Sequence, residues 1–326
     1  MRKLIITLLI CCLVVLPISA CSKTIPDNTI RLTEVTHSVF YAPLYVAIEN
    51  GYFKEEGLKI ELSNGQGANN CMSAIISNQA DIGLMGPEAS IYVYNEGRQN
   101  YPIVFGGLTN CDGSFIMSRE KNPNFTLNDM VGKEILGGRK GGVPAMSLEY
   151  ALRNGGVLDK VNFNSSIQFD MMVGAFVGGT GDYCTVFEPT ASMLEKQGAA
   201  YVVDSVAKYS GNMPFTAFMC SKDYLKTHNL QIEKFMRAII KGINFVQKCD
   251  GNQVANIIQG SFASSDIDVL ASSINRYKQI GAYRVNPVIK KEDFDRLQQI
   301  IIDSNIMDKK ADYNKIIDNS IVKKLL

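Results

Sequence analysis

Short apolar runs alternate with amphipathic stretches along most of the chain. In the first third, β-branched or continuously apolar runs predict strands over 29–35, 58–62, 81–85 and 102–108. Between them, helix-type spacing of apolar residues predicts helices over 43–53, 68–79 and 87–97. Pro at the start of the first helix pattern and Gly near its end are typical of helix boundaries. Strands that alternate with helices of about ten residues are typical of βαβ units and a parallel sheet.

The same alternation restarts after residue 130. Further strands are predicted over 132–138, 166–170, 182–187 and 200–205, and helices over 143–156, 171–179 and 188–198. A strand is predicted again over 213–221, and most of the remaining sequence has the pattern of amphipathic helix. One apolar helix face there comprises Ile232, Phe235, Ala238, Ile239 and Ile243. The pattern therefore predicts an α/β protein with two lobes, each a mostly parallel sheet flanked by helices.

Two distant stretches share one layout. "DIGLMGPEAS" (81–90) and "DYCTVFEPTAS" (182–192) each run from an Asp through an apolar strand to adjacent Glu and Pro residues, shortly before Ala-Ser. Ligands of open parallel sheets bind outside the carboxyl ends of the strands, so the two corners are predicted to face each other across a cleft. Taken singly, each corner is also ordinary helix-start chemistry.

Extended crossings near 113–118 and 213–220 are predicted to connect the two lobes. The first lobe would then comprise residues 29–114 and 219–326, and the second lobe residues 115–218.

The N-terminus has the pattern of a secretory signal. Arg2 and Lys3 precede an apolar run, Leu4 to Leu16, which is shorter than the roughly 20 residues that a membrane span needs. The run ends in "ISAC" (18–21), which resembles a bacterial lipobox. We therefore expect a signal peptide over 1–20, a lipid on Cys21 and a polar tether over 21–28. The protein would be extracytoplasmic and anchored to the bacterial cell membrane.

Composition excludes several classes of function. Without Arg2 and Lys3, 31 of the 33 basic residues remain against 32 acidic ones, so the basic excess that nucleic acid requires is missing. Five cysteines follow the lipobox without C-x-x-C spacing, and the chain has only two His, so neither a metal site nor a cofactor is predicted. We expect these five to be small buried hydrophobic residues: Cys71, Cys111, Cys184, Cys220 and Cys249.

The stretch "YAPLYVAIENGYFKEEGLKIEL" (41–62) resembles the opening of bacterial ABC-importer substrate-binding proteins for sulfonates, nitrate and thiamine-pyrimidine precursors. "QADIGLMGPEAS" and "YCTVFEPTAS" resemble the second and third signatures of that family, in which many relatives have Trp where this chain has Phe187. The resemblance implies a type II periplasmic-binding-protein fold whose lobes close on a ligand and deliver it to a membrane permease. We expect a monomer.

The same family includes eukaryotic pyrimidine synthases, which sacrifice a His and use a Cys-rich cluster. Here Pro87 and Glu88 occupy the corresponding region and a Cys cluster is missing, so an enzyme of that kind is not expected. His37 and His228 lack an accompanying G-x-S-x-G motif. A lipoprotein that senses a solute with the same fold is a further alternative.

Candidate ligand contacts lie at the predicted corners and crossings. Carboxylates are expected from Glu88, Asp112 and Glu188, and apolar walls from Phe40, Tyr41, Phe187 and Phe215. Further polar contacts are expected from His37, Asn64, Gln66 and Asn110, although turn chemistry also explains Asn. A possible anion site combines a helix start with a cation, at Arg139, Gly141, Gly142 and Val143.

The acids favour a small nitrogenous heterocycle, such as a thiamine-pyrimidine precursor, because carboxylates accept hydrogen bonds from amino groups. An anion beside the same acids would be penalised. The alternative ligand is an aliphatic sulfonate, taurine or nitrate held by Arg139 and the backbone of 141–143.

Overall fold

Two five-stranded sheets form the framework of the protein in a computed structural model, which describes residues 28–167 and 169–326. The predicted signal peptide, Cys21 and most of the tether lie outside the described residues. Within the described ranges, no helix is both long and apolar enough to cross a membrane.

The first sheet has the strand order β2-β1-β3-β10-β4. Its strands are β1 (Thr29–Glu34), β2 (Lys59–Asn64), β3 (Ile82–Met85), β4 (Ile103–Gly107) and β10 (Ala217–Cys220). β1 pairs in parallel with β2 and β3, whereas β10 runs antiparallel between β3 and β4. Leu32 lies opposite Leu62 on one side and Ile82 on the other. Leu32 and Ile82 are fully buried, as expected for inner parallel strands covered on both faces.

The second sheet has the same plan, in the order β7-β6-β8-β5-β9. Its strands are β5 (Phe115–Ser118), β6 (Glu134–Leu136), β7 (Asn162–Asn164), β8 (Tyr183–Val186) and β9 (Tyr201–Ser205). β5 is the antiparallel member, between β8 and β9. The predicted α/β class with mostly parallel sheets is confirmed. The crossing regions contain β5 and β10, and β10 begins two residues before the predicted lobe boundary at 218/219, so the exact boundaries remain a prediction.

Helices flank both sheets. In the first half of the chain they are α1 (Ala42–Glu49), α2 (Tyr52–Glu55), α3 (Ala68–Ile76), α4 (Glu88–Asn95), α5 (Val143–Asn154) and α6 (Phe169–Val177). The later ones are α7 (Thr190–Lys196), α8 (Ala207–Ser210), α9 (Lys222–Thr227), α10 (Asn229–Lys248), α11 (Gly251–Ile258), α12 (Ile267–Gln279), α13 (Lys291–Asp303), α14 (Tyr313–Ile316) and α15 (Ser320–Leu325). Short 3₁₀ turns occur at Val39–Tyr41, Leu127–Met130 and Leu158–Lys160.

The long helix α10 buries the apolar face that its amphipathic pattern predicts. The predicted apolar face, which includes Ile232, Phe235 and Ile239, is buried. Burying each such side chain stabilises the fold by roughly 1.5–3 kcal/mol. This face joins the main core beneath the first sheet, where Phe235 contacts the rings of Phe53 and Phe218 at 5.2 and 5.0 Å.

The strand predicted over 166–170 is wrong. The strand lies earlier, at Asn162–Asn164, and helix α6 already begins at Phe169. The Asn164 side chain explains the early end of the strand, because its Oδ1 accepts hydrogen bonds from the Ser166 backbone N–H and hydroxyl at 3.0 and 2.7 Å. This Asx turn ends the strand before residues 166–170, the apolar run over which a strand is predicted from the sequence.

Candidate ligand-binding site

Aromatic rings from both sheets meet around Phe40, which is 1% exposed. Its ring centroid lies 5.8 Å from Phe187, at the end of β8, and 5.7 Å from Phe215, in the return crossing. Tyr41 and Tyr277 lie 5.8 and 4.9 Å away. The four aromatic residues that the sequence analysis nominates are therefore neighbours, and Tyr277 of α12 joins them.

The first crossing passes close to these rings at Gly113. A Cβ atom at this position would lie 2.7 Å from the Phe40 ring and 3.0 Å from the Phe187 ring. Such distances are too short for real contacts, so the absence of a side chain allows the backbone to approach the aromatic cluster.

Glu88 begins helix α4 directly after β3, at the predicted corner. Its Oε2 is buried and has no hydrogen-bond partner among the described residues. Burial raises the pKa of this carboxyl to about 7, although Arg139 acts in the opposite direction. One helical turn further, the buried hydroxyl of Tyr92 also lacks a partner within the described ranges. Tyr92 is not among the residues predicted from the sequence.

Asp112 lies in the first crossing and is fully buried. Its Oδ1 accepts hydrogen bonds from the Ser114 backbone N–H and hydroxyl at 2.7 and 2.5 Å. Its Oδ2 has no partner among the described residues, and burial raises the Asp112 pKa to about 7. The buried Ser147 hydroxyl of α5 is near enough to lower this pKa but does not meet hydrogen-bond geometry, so it too is unpaired within the described chain. Ser147 is likewise absent from the residues predicted from the sequence.

Four polar atoms are therefore buried without a hydrogen-bond partner among the described residues. They belong to Glu88, Tyr92, Asp112 and Ser147. Glu88 lies within electrostatic reach of Tyr41 in the aromatic cluster, and Asp112 adjoins Gly113, which approaches Phe40. A buried group left unsatisfied costs about 1–3 kcal/mol, so a ligand that offers hydrogen bonds to these atoms would offset that cost. Two of the atoms are carboxyl oxygens and two are hydroxyls, so above about pH 7, where both carboxyls are ionised, the group can accept more hydrogen bonds than it can donate.

Glu188 differs from the other two acids because both its oxygens already have partners. Oε1 accepts from Arg276 Nη1 at 2.5 Å and from Ser192 Oγ at 3.0 Å. Oε2 accepts from the Ser192 backbone N–H at 2.8 Å and from Ser273 Oγ at 3.2 Å. The Glu188 side chain thus joins the corner after β8 to helix α12, and a ligand contact for it remains a prediction.

Backbone contacts reinforce the same junction. The Ser38 hydroxyl donates to the Glu188 carbonyl at 3.1 Å, and the Glu188 backbone N–H donates to the Tyr277 hydroxyl oxygen at 3.0 Å. Residues after β1 and β8 are therefore in direct contact, whereas the facing of the corners after β3 and β8 remains a prediction.

His37 follows β1, but both its ring nitrogens are occupied. Nδ1 lies 2.9 Å from Glu34 Oε1, and Nε2 lies 2.8 Å from the carbonyl oxygen of Ser261. The hydrogen bond to Glu34 raises the His37 pKa, and the ring stacks on Phe262 with centroids 4.5 Å apart. Tyr45 completes the network by donating to Glu34 Oε2 at 2.5 Å. These hydrogen bonds hold the His37 side chain in place within the loop after β1. A contact between His37 and a ligand remains a prediction.

The remaining polar candidates lie in three different places. Asn64 and Gln66 are exposed and form a turn, in which Asn64 Oδ1 accepts from the Gln66 backbone N–H at 2.9 Å. Asn110 lines a separate cavity. Arg139 is exposed in the loop before α5, and Gly142 donates a backbone hydrogen bond to the Arg139 carbonyl at 3.1 Å. Gly141 lies in the left-handed region (φ +80°), and buried Val143 begins the helix that carries Ser147.

Metal binding has no support in the described part of the chain, where no group of three or more His, Cys, Asp or Glu side chains could hold an ion. The five described cysteines are all free, and four of them are buried.

Residues 39–249 match the family described as "NMT1/THI5 like". The chain belongs to this family, which confirms the resemblance found in the sequence.

Two curated relatives differ in coverage. "Putative binding protein YtlA" of Bacillus subtilis (strain 168) is 37% identical over 311 residues, which cover 94% of this chain and 93% of the relative. A 4-amino-5-hydroxymethyl-2-methylpyrimidine phosphate synthase of Aspergillus parasiticus is 34% identical over 77 residues, only 24% of this chain and 22% of the enzyme.

Solved structures share the fold at low sequence identity. A ligand-binding component of an ABC-type import system from Staphylococcus aureus matches with a TM-score of 0.72 and 15% identity, covering 91% of this chain and 99% of that chain. The alkanesulfonate-binding protein SsuA from Xanthomonas axonopodis pv. citri matches with a TM-score of 0.67 and 14% identity, covering 90% and 99%. The predicted type II periplasmic-binding-protein fold is thereby confirmed.

Proposed function

We propose that this protein is the extracytoplasmic solute-binding component of an ABC importer. The observation that carries the proposal is the set of buried, unpaired polar atoms, led by Glu88 and Asp112, beside the aromatic cluster of Phe40. Membership of the family and the likeness to a binding protein over nearly the whole chain support it. The ligand would be passed to a membrane permease, and a lipid on Cys21 would hold the protein near it.

The ligand class follows from the chemistry of these atoms. An amino-substituted nitrogen heterocycle can donate hydrogen bonds to the Glu88 and Asp112 carboxyls, and each bond to a charged group contributes about 1.5–3 kcal/mol. Its ring can stack against Phe40 or Phe187, which adds about 0.5–1.5 kcal/mol beyond burial. A thiamine-pyrimidine precursor has both properties.

An aliphatic sulfonate, taurine or nitrate is the alternative ligand, which the sulfonate-binding structural neighbour favours. Arg139 and the backbone at 141–143 would hold it. The two unpaired carboxyls oppose this ligand, because an anion placed next to a buried carboxylate would lose its hydration without gaining an attractive partner.

An enzymatic role has less support. The pyrimidine synthase relative matches only a quarter of the chain, and Pro87 and Glu88 stand where the sequence analysis expects the sacrificed His of such enzymes. A solute-sensing lipoprotein would use the same cleft, and it would be distinguished by the absence of a functional permease partner.

A thermal-shift screen of the protein beginning at Ser22 tests the ligand class. The panel comprises aminopyrimidines, thiamine, taurine, alkanesulfonates and nitrate. A ligand at about a hundred times its Kd adds about 2.7 kcal/mol to the free energy of unfolding, which raises Tm by several degrees. We expect a shift with an aminopyrimidine.

Two variants locate the binding site. Glu88→Gln should abolish most of the aminopyrimidine shift, whereas Glu120→Gln, which changes an exposed acid near β5, should leave it intact. A shift with sulfonates alone would overturn the heterocycle proposal. An aminopyrimidine shift of equal size in both variants would show that the ligand binds away from Glu88.

A further inference from the structure

Residues of both crossing segments line a cavity. Its volume is about 700 Å³, within the 300–1,000 Å³ range of small-molecule sites. Asn110 comes from the first crossing and Asn212 from the approach to the second, so both connections contribute to one wall. The rest of the lining comes from the ends of α10 and α12, the segment 281–290 and the first turns of α13.

Arg284 is the most buried cation of this lining, at 5% exposure. Its Nε donates to the Thr109 carbonyl at 3.1 Å and its Nη1 to the Val288 carbonyl at 2.9 Å. Nη2 has no hydrogen-bond partner among the described residues, and the Asp293 carboxylate is 3.9 Å away. Burial lowers the Arg284 pKa to about 10, and the Asp293 carboxylate acts in the opposite direction.

Arg296 supplies a second cation at the opening. It is exposed on α13, and no ion pair involving it is found in the described part of the chain. Its guanidinium lies against Gly211, where a Cβ atom would be 3.4 Å from Nη1. Gly211 has a φ of +74°, so the chain bends closely beneath the guanidinium just before the second crossing.

The lining as a whole carries more positive than negative charge. Four cationic side chains, Lys278, Arg284, Lys290 and Arg296, face two carboxylates, Glu292 and Asp293. Lys278 donates to two backbone carbonyls, and Lys290 pairs with Glu292 at 3.6 Å. Other than Lys278, Arg296 is therefore the lining cation without an ion pair in the described ranges, and Arg284 is only partly paired, because its Nη2 lies 3.9 Å from Asp293 without a hydrogen bond.

We propose that this cavity binds a small dianion that carries carboxylate or phosphate groups. Arg284 and Arg296 provide the charge, and the side-chain amides of Asn110 and Asn212 provide neutral hydrogen-bond donors. The site is separate from the aromatic cluster, and the proposal does not depend on the identity of the main ligand. Because both crossings line the cavity, an anion there would be coupled to the relative positions of the two sheets.

Calorimetric titration at low ionic strength tests the proposal, with succinate and inorganic phosphate as probes. At least one should bind the full chain beginning at Ser22. Arg296→Gln should weaken that binding about tenfold or more, because one charge-assisted contact is lost. Since Arg296 is exposed, this variant should fold normally, which circular dichroism would verify.

Two controls separate this cavity from other anion sites. Lys291→Gln removes a cation from the same helix outside the cavity lining, and Arg139→Gln removes the cation near the main cleft; both should bind the probe as the unmodified protein does. If neither probe binds, or if Arg139→Gln or Lys291→Gln weakens binding as much as Arg296→Gln, the proposal is wrong. Binding of only one probe would identify which anionic group the cavity accepts and would support the proposal.

Discussion

Arg276 and Glu188 form an ion pair with an Nη1–Oε1 distance of 2.5 Å, although 88 positions separate them in the chain. The Glu188 side chain is completely buried, and the same guanidinium also contacts Glu195. The pair connects α12 with the corner after β8, next to the aromatic cluster. It therefore holds together the two parts of the molecule between which the proposed cleft lies.

Arg276→Gln should destabilise the protein by about 3 kcal/mol, because it leaves the buried Glu188 carboxylate without its cation. Urea unfolding measures the change. Adding Glu188→Gln to this variant should recover much of the loss, since the uncompensated charge is then removed. Lys196→Gln is the matched control: it breaks an exposed ion pair between the last residue of α7 and Asp266, which precedes α12, and should change stability little. Equal losses in Arg276→Gln and Lys196→Gln would contradict the assigned role.

The pKa values of Glu88 and Asp112, raised to about 7 by burial, predict the pH dependence of stability. The folded state binds these protons more tightly than the unfolded chain, whose carboxyls titrate near pH 4. Their contribution to the free energy of unfolding is therefore greatest below about pH 4, falls as the pH rises to about 7 and is then constant. Each group accounts for roughly 3–4 kcal/mol of this fall.

Glu88→Gln should make the decline less steep and should stabilise the ligand-free protein at pH 8, because an amide does not ionise. Glu120→Gln serves as the control for removal of an acid. Urea unfolding at pH 4, 6 and 8 gives the comparison, and an unchanged slope in Glu88→Gln would exclude a raised pKa for this carboxyl.

Gly113→Ala should destabilise the protein by about 1–3 kcal/mol, because the new methyl group overlaps the Phe40 and Phe187 rings. Gly174→Ala places a methyl group in open space within α6 and should stabilise the protein by about 0.5–1 kcal/mol. Thermal unfolding of both variants measures the difference. A neutral Gly113→Ala would mean that the rings separate easily, and the cluster would then be looser than the contacts indicate.

Cys21→Ala should release the protein from membranes, if the lipobox resemblance is correct. Cys12→Ala, within the apolar run, should leave the attachment unchanged. Metabolic labelling with a fatty acid, followed by membrane fractionation, reads out both variants. Continued labelling of Cys21→Ala would exclude this residue as the site of the lipid.

Much of the first sheet could be predicted because its strands are short apolar or alternating runs bounded by Gly, Pro or Asn. β7 could not, since Asn162–Asn164 is a short, polar strand followed by a more apolar stretch. The regions of β5 and β10 were recognised as extended crossings. Their antiparallel insertion into the sheets depends on partners far away in the chain, which a local pattern does not reveal.

The residues of the candidate site likewise divide into those that the sequence predicts and those that it does not. Phe40, Glu88 and Phe187 follow strands, so topology alone brings them to one region. Tyr92 and Ser147 lie within helices and have no motif of their own. A weak signal existed, because each stands four residues after a nominated position, Glu88 or Val143, and thus on the same helix face. The Arg276 partner of Glu188 has no local signal at all.

The position of β10 has a consequence for synthesis on the ribosome. Among the described strands, β4 pairs with β10. Residues 103–107 therefore cannot form this strand pair until residues 217–220 have been translated. All five strands of the second sheet lie between residues 115 and 205 and leave the exit tunnel before β10. The second sheet can therefore be completed before the first, although its strands are translated after β1 to β4. Until β10 has been translated, β3 and β4 of the first sheet lack the strand that pairs with both of them.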